Sequence, residues 1–546
     1  MNSHRTSTPS SSMAVAGRNG AGDGEISYPD TPPPGNDSQN NARSALFWRD
    51  RLFEVGLIVS MALYYLIGNA NLRFGLFPHA NPLISLPFLL IFAVLCWFRL
   101  PFALALLPIS FPYYYLQKTV VNHYDFSLVE VSLFICVVVA VLRLLFNREE
   151  RQYLLSWQAW RERLGPFLWP IALFVLMAAI SIVIAYARTT ALRAFREEVF
   201  DPLVYVALLF MYLHTRQDVR RLLFGMIGSG IVITVIGLAQ RLLFRSTMMV
   251  EPDGLQRVYT VFGNANNVGL LFDYVLPLVM AIVVARVAWK SRIAALILCI
   301  PMALVIYWTY SRGSWMFAIP VAVIFVVACA IRNRKVLITG GLVLLVIAAI
   351  VLGAFHARIW NYLVQGHVST QGHSTVTKRL YLWDSALGMI HDSPWVGYGM
   401  DNWLCHYSEN SVCSNHLHHY WVTTDHGVST GLTEEPTLSH PHNVFLQVWV
   451  SMGVFGMLAF IAVLVLFFWL FARILMYLHS NEVSHKEQWR WMLVGIGAAM
   501  LAAMVQGQGD SAFLEQDLSF FFWALVAALL LLRYMVAVPW NWKRAK

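Results

Sequence analysis

Charge is what this chain has least of. Only 13% of its 546 residues are Asp, Glu, Lys or Arg, about half the share in a soluble globular protein. With 58% hydrophobic residues, that shortage excludes an ordinary soluble domain. Its six cysteines form no C-x-x-C pair, which removes support for a zinc ribbon. Cys96, Cys136, Cys299 and Cys329 fall within apolar runs and read as packing residues. The amino-terminal stretch has no apolar h-region, so no cleavable signal peptide is expected. The short alternating segments of a membrane β-barrel are missing, and so is a convincing internal repeat of the transporter kind.

What is present is a recurrence of apolar runs of about 20 residues, long enough to cross a bilayer as helices. The expected fold is an all-α polytopic membrane protein with about fourteen transmembrane helices. Their approximate cores are 54–70, 82–98, 101–116, 127–146, 167–187, 199–214, 222–240, 268–285, 293–309, 315–331, 336–354, 443–471, 491–507 and 517–537. The third is short, contains proline and is a candidate re-entrant segment. Residues 1–45, rich in Ser, Pro, Gly and Asn, read as a disordered tail. Residues 46–240 read as an N-terminal bundle, 241–537 as a second, catalytic membrane domain, and 538–546 as a second tail.

Basic residues set the expected orientation. Arg143, Arg148, Arg151, Arg161 and Arg163 share a side with Arg216, Arg220 and Arg221, with Arg332, Arg334 and Lys335, and with the terminal Lys543, Arg544 and Lys546. Both termini are then cytoplasmic, in agreement with an even span count. The one long loop, about 355–441, lies on the opposite, oxidising face. Cys405 and Cys413 within it are a candidate disulfide, with two free loop thiols as the alternative.

Several arginines break the positive-inside pattern. Arg193 and Arg196 precede the sixth span, Arg257 precedes the eighth, Arg312 sits alone in "YSRGSWM", and Arg379 lies in the long loop. Basic groups gathered on an outer face call for an anionic partner, and the planar guanidinium fork matches phosphate oxygens. Arg312 beside a helix start makes a phosphate site; an interfacial anchor is the competing reading. In "RVYTVFGNANNVG", Asn264 and Asn267 either cap the eighth span or add amide donors around a headgroup.

"SHPHNVFLQVW" places His440 and His442 where the long loop enters the twelfth span. A neutral imidazole at a helix N-terminus can take a proton, so His442 is a candidate general base; a helix cap is the competing reading. The histidine group His416, His418, His419 and His426 matches no tight metal-ligand signature. Contact with sugar through Tyr420 and Trp421 is the alternative for that loop.

In order along the chain, "RVYTVFGNANNVGLLFDYVLPL", "YSRGSWM", "KRLYLWDSALGMIHDSPWVGYGMDNW" and "HPHNVFLQVWVSMGVFGMLAF" resemble the O-antigen ligase/polymerase superfamily of bacterial inner-membrane glycosyltransferases. In the third piece the resemblance is carried by Arg379, Trp383, Ala386, Pro394, Gly397 and Gly399. It implies a membrane enzyme that moves a glycan from undecaprenyl diphosphate to an acceptor hydroxyl at the periplasmic face. The acceptor would be another glycan or a lipid A-core; a protein hydroxyl is a further option, and a polysaccharide or lipid transporter is the reading from another class. The resemblance assigns Arg257 and Arg312 to the diphosphate and His442 to the acceptor, with Arg379 and His440 in support. Arg193 and Arg196 remain candidates from charge alone. Outward connections hold no D-x-D-like cluster, so a metal-independent, inverting transfer without cofactor is expected. Membrane lipids are the remaining expected partners, and no nucleic acid is.

Overall fold

Capping residues fix where the membrane helices begin. Ser127 and Glu130 exchange side-chain and backbone hydrogen bonds in a capping box at the start of α3 (Leu128–Phe146), and Thr215 and Asp218 do the same for α9 (Arg216–Leu242). Asn264 caps α10 (Ala265–Val284) by accepting from the Asn266 amide, and Asn443 caps α15 (Val444–Ser480) by accepting from the Phe445 and Leu446 amides. The computed structural model describes residues 36–540 except 73–74, 122–123, 252–253, 332–334, 336–338, 343–345, 347–352, 355–374, 408–412, 414–416 and 421–438.

The other helices are α1 (Asn36–Leu66), α2 (Leu86–Leu106), α4 (Arg148–Leu154), α5 (Trp157–Leu164), α6 (Leu168–Ile184), α7 (Arg188–Ala194), α8 (Asp201–Tyr212), α11 (Trp289–Thr309), α12 (Ile319–Ala330), α13 (Thr375–Asp392), α14 (Trp403–Tyr407), α16 (Lys486–Gln506) and α17 (Gln516–Met535). Two small antiparallel hairpins are the described sheet structure: β1 (Lys118–Val121) with β2 (Tyr124–Phe126), and β3 (Met249–Val250) with β4 (Gln256–Arg257). By compactness the chain divides into Met1–Asp50, whose described part is the opening of α1, and Arg51–Lys546, which holds every element discussed below.

Among the described residues, ten helical stretches are long and apolar enough to cross a membrane, fewer than the fourteen expected. Each difference has a local cause. The cores at 82–98 and 101–116 form one stretch, Pro82–Tyr113. It bends at Arg99 (φ −139°, ψ 53°), two residues ahead of Pro101, because a proline inside a helix lacks an N–H and its ring clashes with the carbonyl of the preceding turn. The core at 199–214 is the short α8, which continues from a π-helical turn, Phe195–Phe200, carrying Arg196, Glu197 and Glu198. The core at 54–70 is the carboxyl-terminal part of α1, preceded by charged Arg51 and Glu54. The 336–354 core lies largely outside the described residues. Residues 36–45, expected in the disordered tail, are helical; extending a formed helix costs far less than nucleating one.

The centre of the bundle is α10, α16 and α17; 89% of the most apolar window of α17 is buried. Small residues let α16 approach α10: a Cβ on Gly495 would lie 3.2 Å from Leu278 Cα. Helices from the two sides of residue 240 interleave, with α15 against α6 and α17 against α8. Residue 240 thus marks a change in motif content and not a packing boundary.

A second device sets the position of α15. Gly453 inside it is left-handed (φ 72°) and interrupts the helix. The segment Ser393–Gly399 crosses at that break: Tyr398 N donates to Val450 O (2.7 Å), Gly399 N to Ser451 O (3.1 Å) and Val454 N to Pro394 O (2.9 Å). Gly397 is also left-handed, and a Cβ there would sit 2.4 Å from Val450 O, so only glycine fits. The spaced Pro and Gly of the third motif are thereby the clasp that ties the long loop to α15.

Candidate active site

Four motif segments converge on a short loop, "GQGDSAFLE" (507–515), between α16 and α17, the first of them through Tyr274, whose hydroxyl donates to Ala512 O. Gln506, at the end of α16, donates from Nε2 to Ser311 Oγ (3.3 Å). A Cβ on Gly313 would lie 2.0 Å from Gln506 Oε1, so the turn that carries Arg312 docks directly on this loop. Gly507 O accepts from Val444 N (2.8 Å), and Gln508 O from Asn443 Nδ2 (3.2 Å). Gly509 lies beside Arg379, whose Nη1 would be 3.4 Å from a Cβ there. The loop is braced from the other side by Gln447, which donates to Leu514 O (3.0 Å) and accepts from Ser511 Oγ (2.5 Å).

At the middle of this loop stands Asp510, 2% exposed, with its Oδ1 2.7 Å from His442 Nδ1. Burial alone would raise this carboxyl, but the charge and hydrogen bond of His442, the nearby His440 and the charge of Arg379 hold it well below the usual carboxylate range. An ionised carboxylate can only accept, so His442 Nδ1 carries the proton and Nε2 keeps a lone pair. Burial, acting against the neighbouring carboxylate, lowers the His442 pKa from its ordinary value. The helix cap is Asn443, not His442. His442 instead takes a left-handed backbone (φ 50°), with Trp383 Nε1 donating to its carbonyl (3.4 Å). A non-glycine residue held there is a local strain of the kind found at functional sites.

His440 stands between two acids. Its Nε2 is 3.6 Å from Asp510 Oδ1 and its Nδ1 is 3.6 Å from Glu515 Oε1, while Ser439 Oγ lies 3.0 Å from Nδ1. Burial opposes its charge, yet the nearby charges of Asp510, Glu515 and Asp401 outweigh that and raise its pKa. The two imidazoles, 4.5 Å apart in an edge-to-face pair, are therefore pushed in opposite directions.

Ligand atoms of His440, His442 and Asp510 all lie within 4.8 Å of one another, a set that could hold a divalent ion. An ion on His442 Nδ1 would drive the proton to Nε2 and remove the lone pair. Metal binding and base chemistry are thus alternatives at this one place.

The predicted arginines divide. Arg312 is half-buried at the start of the π-helical turn Gly313–Ala318. Arg379 is half-buried on α13, and its charge reaches both His442 and Asp510. Arg257 donates to Thr309 O (2.7 Å), Glu251 Oε1 (2.7 Å) and Asn266 Oδ1 (2.6 Å). It thus links the β3–β4 hairpin to the end of α11, just before Arg312. Arg196 is held by Glu130 (2.6 Å) and Glu197 (2.7 Å). Arg193, 3.7 Å from Glu197 and 63% exposed, faces a separate cavity. Asn264 is a helix cap, and Asn267 sits half-buried in the first turn of α10.

In the long loop, Cys405 and Cys413 are paired as a disulfide. Tyr420 is spent on anchoring: its hydroxyl bonds Asp392 (2.6 Å) and meets that of Tyr398 (2.7 Å). His416, Trp421 and His426 lie outside the described residues.

Asp510 and Glu515 are the functional candidates that sequence reasoning missed. Their signal was available: two acids in a short glycine-containing connection, on the same expected face as His442.

No curated protein matches the chain. The family model for O-antigen ligase matches residues 294–461. The match takes in the Arg312 turn, α13 with Arg379, His440, His442 and the first part of α15, and it stops before Asp510. A role in glycan transfer for surface polysaccharide follows, in a multi-pass membrane protein. That match, over less than a third of the chain, supports the resemblance to the O-antigen ligase/polymerase superfamily.

Proposed function

We propose that the protein transfers a glycan from undecaprenyl diphosphate to an acceptor hydroxyl at the periplasmic face of the bacterial inner membrane. It would act as a surface-polysaccharide polymerase or ligase. The observation that carries this reading is the buried His442–Asp510 pair, beside Arg379 and on the loop where the Arg312 turn docks. His442 Nε2 takes the acceptor proton as the acceptor oxygen attacks the anomeric carbon. The bond from that carbon to the diphosphate oxygen breaks, and its electron pair leaves on undecaprenyl diphosphate. One displacement inverts the anomeric centre. Asp510 fixes the tautomer and stabilises the imidazolium that forms, the role of the third group in an activated base. Arg312 and Arg379 neutralise charge growing on the leaving diphosphate in a partly dry site. Arg257, already bonded three ways, shapes the end of α11 and offers its remaining N–H groups. No step requires a metal.

The experiment is purified protein in lipid nanodiscs with a lipid-diphosphate-linked glycan. Release of undecaprenyl diphosphate with glycan joined to acceptor is expected. In sealed vesicles, glycan uptake without bond cleavage would favour a transporter instead.

A further inference from the structure

One cavity is not explained by the His442–Asp510 pair. It measures about 210 Å³ and lies along the far side of His440, the residue that also reaches Asp510. Its charged and titratable lining comprises Glu198, Asp401 and Glu515, opposed by Arg193 and His440, with Tyr115 hydrogen-bonded to Glu515. Glu198 is 8% exposed, and Asp401 is held in a left-handed backbone (φ 52°). Trp403 also lines the cavity. It is 4% exposed, and its Nε1 has no hydrogen-bond partner among the described residues. A buried donor left open in this way is costly unless a ligand meets it. Burial raises the Glu198 and Glu515 carboxyls and takes that of Asp401 up to about 6, so the lining offers carboxyl oxygens that both donate and accept hydrogen bonds with sugar hydroxyl groups.

We infer that this cavity is the acceptor subsite and that it holds the acceptor sugar through its hydroxyl groups. The inference rests on the transferase reading. It divides the site in two. The leaving diphosphate lies with Arg312 and Arg379, the acceptor sugar lies among Glu198, Asp401 and Glu515, and His440 stands at the boundary.

The test varies donor and acceptor independently with the full-length protein. Asp401→Asn, which suits a left-handed backbone, and Glu198→Gln should each raise the acceptor KM about tenfold while leaving the donor KM within about twofold. An equal rise in both constants, or no change in either, overturns the inference. Should the native protein release no undecaprenyl diphosphate, the transferase reading itself fails, and the cavity is read separately. In Ser439→Cys, saturating acceptor should slow modification of the new thiol by a neutral methanethiosulfonate about tenfold, because a bound sugar covers the cavity. A rate unchanged by acceptor would show that the sugar does not occupy the cavity.

Discussion

The two arginine groups of the expected outer face look alike in sequence and are built for different work. Around α7, Arg196 is clamped between Glu130 and Glu197, two acids with little exposure. Near the Gln506–Glu515 loop, Arg379 sits by an Asp510 already committed to His442. The first arginine is neutralised by the fold. The second adds charge to a place where the local carboxylate holds an imidazole. Acids brought from distant parts of the chain, more than the arginines, separate a structural ion pair from a charged site.

This contrast can be broken by mutation, and the largest effect belongs to the histidine. His442→Ala should lower turnover by about 10²–10⁴-fold, the range of a lost general base, with the protein still inserted and folded; single-turnover release of undecaprenyl diphosphate measures it. Arg379→Ala and Arg312→Ala should each cost about 10²–10³-fold, as for loss of one group stabilising transition-state charge, whereas Arg196→Ala should keep most activity. Arg196→Ala should instead lower stability by about 1 kcal/mol, a figure discounted because that side chain is nearly half exposed. Thermal unfolding in detergent reads that difference; activity loss in Arg196→Ala equal to that in Arg379→Ala would erase the distinction.

The pH dependence sharpens it. A base must be neutral, and the folded protein lowers the His442 pKa from its ordinary 6.5, so the rate should hold as pH falls through 6.5 and decline only in more acidic solution. The smallest expected effect is that of EDTA, which should leave turnover unchanged. Added zinc should inhibit by occupying the His440, His442 and Asp510 set; a loss on chelation that a metal restores would give the trio to metal catalysis instead.

Much of this was legible in the chain. The helical class followed from apolar run lengths. The cap at Asn264 was one of two readings of its residue type, whereas the cap read for His442 is made by Asn443. The glycines of "SPWVGYG" were visible as a motif, but their reason was not, because it lies in a close approach to the break at Gly453 about fifty residues away. The span count failed where proline joined two runs at Arg99–Pro101 and where charge entered a helix at Arg196–Glu198. His442 was found from its place at a helix start. Asp510 was not, because a pairing across 68 residues leaves no local pattern. The opposite shifts of His440 and His442 were equally hidden, since they depend on which buried acids each ring meets.

The central claim is that Asp510 orients His442, which burial keeps neutral, as the base, and a pH–rate profile of Asp510→Asn against the native protein tests it most directly. The account predicts a loss of at least about 10²-fold, with the acid limb moved to lower pH because the carboxylate that raised the His442 pKa is gone. A rate within about threefold of native, with an unmoved acid limb, would contradict it.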